Sequence, residues 1–266
     1  MEKLDITLKE VSTVYSGPAG RLWELVMGEQ IHIGGWKSSM ALAEKAGIRK
    51  GMKILDLCSA LAGGLRFLVK THHIKAYGLD GTPYMVAEAR RRVKAEKLSK
   101  HIQLKLGDVT CIPWPDRSFD VVWGEDAWCY VDAKEKLITE AARVLKRGGV
   151  IAFTDWIEGA KGLKNKEAER INRFMKFPYM ESMKGYKKLL RDNGFDLKVA
   201  EDVTPDFAEH ITLYIKMLTG QLTYDALRII GDDVGLFQAM GAEMSFMEKM
   251  AHAGKFGRCR FVASLR

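Results

Sequence analysis

One short segment, residues 53–64, constrains the fold more than any other part of the chain. Its apolar first half predicts a buried strand, and its second half is a loop of small residues that opens a helix. Such a loop lets backbone N–H groups approach a ligand, although Cys58, Ala60 and Ala62 stand where glycine is expected. A second apolar run ends in Asp80, whose carboxylate would meet the two vicinal hydroxyls of a ribose. Together these features predict a cofactor that carries a nucleoside.

Beyond this segment, strand-like and helix-like stretches alternate along the chain. Predicted strands cover residues 53–57, 75–79, 102–106, 119–123 and 150–154, and predicted helices begin after Gly64 and cover residues 84–96 and 133–145. Because helices in such an order connect parallel strands, we expect an α/β fold with a parallel sheet and helices on both faces.

We expect one domain in three parts. Residues 1–48 form an N-terminal helical cap and a substrate loop, and residues 49–158 form the cofactor-binding core. Residues 159–266 form a substrate-pocket insertion after strand five and the C-terminal completion of the domain. In the cap, Pro18 suits a first helical position and Gly28 can end that helix. Insertions at the carboxyl ends of strands are where such folds build substrate pockets.

Composition predicts a soluble enzyme. With 266 residues, 47% of them hydrophobic, the chain can bury a full core, and no apolar run approaches the roughly 20 residues that span a bilayer. The first residues lack a signal-peptide pattern, so the expected location is cytoplasmic, with no membrane partner. The four cysteines show no C-x-x-C spacing, which argues against structural zinc or a disulfide frame, and we expect no metal.

The formal net charge of +8 permits a nucleic-acid partner. The basic residues nevertheless share their predicted helices with acidic ones, as in residues 90–97, which is typical of a solvated helix face. The Asn/Asp-Pro-Pro-Tyr/Phe tetrapeptide, usual where exocyclic base amines are methylated, is missing. We therefore expect a small-molecule substrate and no nucleic acid, and the protein to be a monomer or a homodimer.

Five elements follow one another in a characteristic order. They are Asp56 with its loop, Asp80 and Gly81 after strand two, Asp108 and Val109 after strand three, Glu125 and Asp126 after strand four, and a Leu-Lys-Arg-Gly-Gly turn at residues 145–149 before strand five. In this order the residues resemble the class I S-adenosylmethionine-dependent methyltransferases over about residues 50–158. A dinucleotide dehydrogenase would share the loop and the second-strand acid, but the G-x-G-x-x-G spacing is absent.

The resemblance implies a Rossmann-like, seven-stranded, mostly parallel sheet and S-adenosylmethionine as cofactor, with S-adenosylhomocysteine as product. It implies that Asp80 holds the ribose and Asp108 the adenine amino group. The full set of cofactor-binding residues that it implies is Asp56, Cys58, Ala60, Gly63, Asp80, Gly81, Asp108, Val109, Glu125 and Asp126.

At a finer level, residues 28–36, 123–130 and 153–157 look like those of the small-molecule N-methyltransferases that make glycine betaine from sarcosine and dimethylglycine. They are also similar to the phosphoethanolamine methyltransferases. In that family a tyrosine matching Tyr15 pairs with a histidine four residues after the aspartate matching Asp126. Here the position holds Tyr130, which weakens a phosphobase assignment.

The expected reaction is an in-line displacement, which needs alignment of an amine and exclusion of water. Tyr15, His32 and Tyr130 are the candidate catalytic residues, since an acceptor amine must lose its proton; Asp126 is a further candidate for that proton. Aromatic faces stabilise a quaternary ammonium product, and the candidates are Trp36, Trp128, Trp156 and Tyr179. A substrate carboxylate would be bound by a positively charged side chain, for which the candidates are Arg170, Arg173, Lys176 and Lys184.

Three other functions stay open from the sequence. The first is a methyltransferase that acts on phosphoethanolamine, or on a carbon or oxygen of a secondary metabolite. A nucleic-acid-modifying methyltransferase would bind RNA with steep salt dependence. A cofactor-binding regulator would bind S-adenosylmethionine without turnover.

Overall fold

The computed structural model describes residues 3–266, which are built around one central sheet. The strands are β1 (Lys53–Leu57), β2 (Lys75–Asp80), β3 (Ile102–Leu106), β4 (Phe119–Glu125), β5 (Leu145–Glu158), β6 (Glu181–Ser182), β7 (Phe195–Asp202) and β8 (Phe256–Leu265). The helices are α1 (Leu8–Ser16), α2 (Pro18–Met27), α3 (Gly35–Lys45), α4 (Gly63–His72), α5 (Pro83–Ala95), α6 (Lys134–Val144), α7 (Asn165–Met175), α8 (Met183–Asp192), α9 (Thr204–Leu218), α10 (Thr223–Ile229) and α11 (Val234–His252).

The strand order explains where a ligand can bind. Seven strands lie in the order β3-β2-β1-β4-β5-β8-β7, and the two-residue β6 pairs with β5. Strands β1 to β5 are parallel, whereas β8 runs antiparallel to both β5 and β7. The prediction of a mostly parallel sheet with helices around it is confirmed. The order reverses between β1 and β4, and ligands of such sheets bind at the carboxyl ends of the strands beside a reversal of this kind.

The strands of the parallel sheet have apolar sequences because both of their faces are buried. Strand β1 is buried from Ile54 to Leu57, because helices cover both faces of a parallel sheet. Strand β5 is longer than the sequence predicts. From Val150 to Glu158 it pairs with β8, and Glu158 lies opposite Phe256. Its first residues include the turn with Gly148 and Gly149.

The N-terminal cap covers the carboxyl end of the sheet. Thr7 and Glu10 form a capping box that begins α1: the Thr7 hydroxyl accepts from the Glu10 N–H, and the Glu10 carboxylate accepts from the Thr7 N–H. Helix α2 begins at Pro18 and ends before Gly28, as the sequence predicts. Helix α1 packs on α5, and the side chain of Leu8 lies against Gly81, where a Cβ would come within 3.0 Å of it. Helix α1 thus lies over the loop after β2.

The C-terminal half adds α7 between β5 and β6, α8 between β6 and β7, and three further helices between β7 and β8. The stretch 223–251, which reads as mostly helical, is two helices. Gly231 and Asp232 adopt positive φ values of 72° and 59°, which end α10, and the Asp233 carboxylate then accepts from the Leu236 N–H to begin α11. None of the helices within residues 3–266 is both long enough and apolar enough to cross a membrane.

Candidate active site

A cavity of about 340 Å³ opens at the carboxyl ends of β1 to β4, under the N-terminal segment. Its lining comprises Ile6, Leu8, Val11 and Tyr15 from that segment, Gln30 and Ile31, Cys58 and Ala60, residues 80–82 with Met85, residues 107–110, residues 125–127, and residues 130–133. Its volume lies within the usual range for small-ligand sites. The cavity joins the loops of four strands, as expected beside the reversal of strand order.

The loop after β1 has an unusual backbone. Cys58, Ala60 and Ala62 adopt left-handed conformations, with φ of 63°, 43° and 53°. An L-residue pays roughly 1–2 kcal/mol for this region, which glycine enters freely. The loop therefore has the shape that glycines would give it, and small side chains keep the backbone accessible. Gly63 serves packing as well, since a Cβ there would lie 2.5 Å from the Glu29 carbonyl oxygen.

Asp80 holds the loop in place. One carboxylate oxygen accepts from the Ala60 N–H and the other from the Thr82 N–H, both at 2.8 Å. The side chain lines the cavity and is 6% exposed. Burial raises the pKa of Asp80, although these backbone hydrogen bonds act in the opposite direction. Each carboxylate oxygen keeps a further lone pair, so Asp80 can accept from a ligand while it anchors the loop.

Two more acids lie near Asp80 and form a buried carboxylate cluster with it, Asp56 and Glu125. Burial, and then the charges of Glu125 and Asp80, raise the pKa of Asp56 well above its usual value. One oxygen of Glu125 accepts from Ser39 at 3.0 Å and Trp123 at 3.1 Å, while the other, Oε1, is buried without a hydrogen-bond partner among residues 3–266. Buried acceptors of this kind fit a ligand that brings N–H donors and positive charge. The ammonium and sulfonium groups of S-adenosylmethionine have that chemistry.

Asp108 and Val109 follow β3 and line the same cavity. The Asp108 carboxylate accepts from the Thr110 N–H at 2.8 Å, which fixes the side chain in a turn. Val109 is 6% exposed and supplies an apolar surface. The pair is thus suited to the edge and face of a flat aromatic ring, as predicted for adenine.

The carboxylate of Asp126 is already occupied. One of its oxygens lies 2.7 Å from Nε of Arg258, and the other accepts from the Ile33 N–H at 2.9 Å. Burial acts to raise the pKa of Asp126, but Arg258, His32 and the Ile33 N–H together outweigh it, so the pKa is lowered. The side chain thus ties the N-terminal loop and β8 to β4. Sequence reasoning missed Arg258; two arginines inside a largely apolar last strand were the available signal.

Tyr15 and Tyr130 meet inside the cavity. Their hydroxyl oxygens are 2.7 Å apart, and their rings lie edge to face with centroids 5.6 Å apart. Burial raises the pKa of both phenols, so both stay protonated at neutral pH. The ring of Tyr130 also packs against Phe177, which follows α7. The two hydroxyls can therefore orient an acceptor by hydrogen bonding.

The other predicted acceptor-site residues lie outside the cavity lining. His32 is 2% exposed, and its ring nitrogens contact the Ser39 hydroxyl and the Ile33 carbonyl. Trp36 is 58% exposed and faces a separate surface cleft beside Gly63. Trp128, Trp156 and Tyr179 pack elsewhere: Trp128 stacks on Phe153, Trp156 belongs to an aromatic cluster with Phe177, Phe207 and Phe256, and Tyr179 lies between Lys3 and Lys134.

The four predicted cations do not line the cavity either. Arg170 makes two hydrogen bonds to Glu243, and Arg173 pairs with Glu169 one turn away. Within the part of the chain that the structure describes, no group of three or more histidine, cysteine or acidic side chains is arranged to hold a metal ion. The sequence also missed most of the N-terminal wall, including Ile6 and Val11, for which the capping box at the start of α1 was the available signal.

Comparison with known proteins agrees with this geometry. Residues 55–153 match a family model described as a methyltransferase domain. Sterol 24-C-methyltransferase of Saccharomyces cerevisiae is 30% identical over 69% of this chain and 49% of its own length. The structure resembles that of a suggested sarcosine dimethylglycine methyltransferase from Galdieria sulphuraria, with a TM-score of 0.84 at 21% identity over 93% of this chain and 96% of that one.

A second similar structure is Haemonchus contortus phosphoethanolamine N-methyltransferase 2 in complex with S-adenosyl-L-methionine, with a TM-score of 0.84 at 21% identity over 95% of this chain and 58% of that one. The chain spans between 30% and 50% of the length of the curated relatives it matches. Residues 55–153 therefore correspond to a methyltransferase domain, within a chain whose fold is that of these two structures.

Proposed function

We propose that the protein transfers a methyl group from S-adenosylmethionine to the nitrogen of a small molecule. One observation carries the proposal: a single cavity is lined by Asp80, Asp108 and Glu125 on the cofactor side and by the paired hydroxyls of Tyr15 and Tyr130 on the other. The cofactor and an acceptor can thus share one enclosed space, which is what an in-line displacement requires.

The cofactor residues have distinct proposed roles. Asp80 accepts from the ribose hydroxyls, Asp108 accepts from the adenine amino group, and Glu125 Oε1 accepts from the ammonium group. The backbone of the loop at Cys58 and Ala60 approaches the amino-acid end, near the start of α4, where the positive helix end favours a carboxylate. When bound, the cofactor supplies an electrophilic methyl group whose bond to sulfur breaks, with its electron pair left on sulfur, as the acceptor lone pair forms the new bond.

The tyrosine pair orients the acceptor rather than removing its proton. Both phenols have raised pKa values, so neither is a phenolate near neutral pH. His32 and Asp126, the other candidates for the proton, are held in contacts with Ser39 and Arg258. We therefore propose that the acceptor nitrogen enters the cavity without its proton. The aromatic faces of Tyr15 and Tyr130 then stabilise the positive charge that the nitrogen gains.

Sarcosine and dimethylglycine are the acceptors that the sequence favours, and methylation of dimethylglycine would yield glycine betaine. The similarity of the fold to that of the Galdieria protein supports these two acceptors as candidates. A cytoplasmic location and a monomeric or dimeric state stay predictions of the sequence. Methylation at an alkene carbon is the second candidate, because such a carbon has no proton to lose before it reacts and the phenols beside it are neutral. The alkene π electrons form the new bond to the methyl group, and the resulting carbocation then releases a proton to water.

The test is a methyl-transfer assay with purified protein and a panel of acceptors, in which S-adenosylhomocysteine is quantified and products are identified by mass. We expect turnover with at least one amine and a product heavier by one methylene. If S-adenosylmethionine binds but only an alkene is methylated, carbon is the acceptor atom. If no tested molecule of either kind is methylated while the cofactor binds, the enzymatic proposal fails in favour of a regulator.

A further inference from the structure

The charges around the cavity restrict what can be methylated there. We infer that the acceptor carries neither a carboxylate nor a phosphate and is an uncharged or cationic molecule with an apolar body. This inference rests on the proposed function and narrows it. It disfavours sarcosine and dimethylglycine, as well as phosphoethanolamine.

Every charged side chain in the described lining of the cavity is an acid. These residues are Asp80, Asp108, Glu125, Asp126 and Asp132. Of the lining residues within 3–266, none is lysine, arginine or histidine. A cofactor with net positive charge satisfies the acids on its own side. An anionic acceptor would face this negative field without a counter-charge.

The cations close to the cavity already have partners. Lys3 lies 2.9 Å from the Asp132 carboxylate at the rim and sits over the ring of Tyr179. Lys134 directly follows the lining residue Ala133, but its ammonium donates to the carbonyl oxygens of Val131 and Tyr179. If Lys3 paired with an anionic methyl acceptor, the Asp132 carboxylate would lose its cation. If Lys134 did so, the carbonyl oxygens of Val131 and Tyr179 would lose their donor.

Arg258 is committed in the same way, to the Asp126 carboxylate and to the hydroxyls of Ser38 and Thr154. The start of α6 also lies near the lining, yet Glu135 in its first turn already complements the positive helix end. The described structure thus offers an acceptor anion neither a side-chain cation nor an uncomplemented end of α6.

Apart from two hydroxyls and the Asp132 carboxylate at the rim, the acceptor side of the cavity is apolar. Ile6, Val11 and Val131 contribute aliphatic surface beside Tyr15 and Tyr130. Moving a carboxylate or phosphate from water into such surroundings without a paired charge is strongly unfavourable. An uncharged acceptor loses little hydration there, and its polar atom can bond to a tyrosine hydroxyl. Aromatic faces also favour a cationic product.

Matched acceptor pairs test this inference. Dimethylglycine is compared with its amide, and phosphoethanolamine with ethanolamine, by calorimetric titration of protein saturated with S-adenosylhomocysteine and by turnover. We expect the member without the carboxylate or phosphate to bind about ten-fold or more tightly than the member that carries it, since the anionic group lacks a counter-charge. Equal or tighter binding of the anionic members, or their faster methylation, overturns the inference while the proposed function stands. Absence of cofactor binding would instead overturn the proposed function.

A gained cation gives an independent readout. The V131K substitution places an ammonium in the acceptor wall, and L213K on the exposed face of α9 is its control. We expect V131K, and not L213K, to bind dimethylglycine about ten-fold more tightly than the unaltered protein, with no gain for the amide. Strong dimethylglycine binding by the unaltered protein, left unimproved by V131K, would contradict the inference.

Discussion

The guanidinium of Arg258 lies 2.7 Å from the carboxylate of Asp126, and neither side chain reaches solvent. This ion pair joins β8, the last strand, to the loop after β4 that forms part of the cavity. Asp126 also accepts from the Ile33 N–H, so the same carboxylate positions the N-terminal loop. The pair therefore fixes β8 and the N-terminal loop against the cavity wall at Asp126.

Removing one partner of this pair should destabilise the protein strongly. In R258M the Asp126 carboxylate stays buried without its counter-charge, and we expect the free energy of unfolding to fall by about 3–5 kcal/mol. R266M removes an exposed ion pair with Asp196 and should cost no more than about 1 kcal/mol. Urea unfolding of both variants checks this. Equal, small losses would mean that Arg258 contributes little.

The tyrosine pair should affect turnover more than cofactor binding. In Y15F or Y130F one hydroxyl is lost and the other loses its partner at 2.7 Å. We expect kcat to fall about 10-fold to 100-fold, because the acceptor is no longer oriented, with little change in affinity for S-adenosylmethionine. Tyr224, 82% exposed, gives the control Y224F. Unchanged kcat in both site variants would remove these tyrosines from the mechanism.

The left-handed loop predicts opposite effects for two substitutions of Ala60. A60V places a β-branched residue at φ 43° beside the cofactor and should weaken S-adenosylmethionine binding by about ten-fold or more, and A62V should act similarly. A60G relieves the strain, so binding should persist and stability should rise by up to about 1 kcal/mol. Titration and thermal unfolding measure both. Unaltered affinity in A60V and A62V would mean that the backbone does not approach the ligand there.

Stability should depend on pH through Asp155. Burial raises its pKa to about 6, against the opposing influences of Lys134, the Tyr186 hydroxyl and the Cys129 N–H. Between about pH 4 and pH 6 the folded protein keeps a proton that the unfolded chain has released. The free energy of unfolding should therefore fall as pH rises through this interval, by on the order of 1–3 kcal/mol from this group, and then level off.

The D155N variant isolates that contribution. Asparagine keeps an oxygen that can accept from the Cys129 N–H, as Asp155 does at 3.0 Å, but it does not titrate. Urea unfolding at several pH values should show a shallower decline for D155N than for the unaltered protein. Asp56 and Asp80 also have raised pKa values and act equally in both proteins. Parallel pH profiles would show that Asp155 does not carry the effect.

The local features of the core were predictable, because they depend on short stretches of chain. The burial of β1, the acid at the end of β2 and the ends of α2 at Pro18 and Gly28 each follow from residues within one element and its turn. The order of these elements then indicated the parallel sheet and the cofactor side of the cavity. Although Cys58, Ala60 and Ala62 stand where glycine is expected, the loop after β1 still has the positive φ values that glycine would adopt there.

The acceptor side was less predictable, because distant residues build it. Arg258 and Asp126 are 132 positions apart, and Tyr15 and Tyr130 are 115 apart. Neither Trp128, which follows β4, nor His32, in the loop before α3, lines the cavity, since each bonds with a neighbour: Trp128 with the Leu57 carbonyl and His32 with Ser39. Which way a loop side chain faces depends on partners that the sequence alone does not reveal.

The central claim is that the acids of this cavity hold S-adenosylmethionine. Isothermal titration of purified, folded protein with S-adenosylmethionine and S-adenosylhomocysteine tests it most directly, with E125A as the variant that removes the unpartnered Oε1. We expect saturable binding of both ligands at one site per chain, weakened about ten-fold or more in E125A. Absence of binding by the unaltered protein, with its fold verified by circular dichroism, would contradict the account.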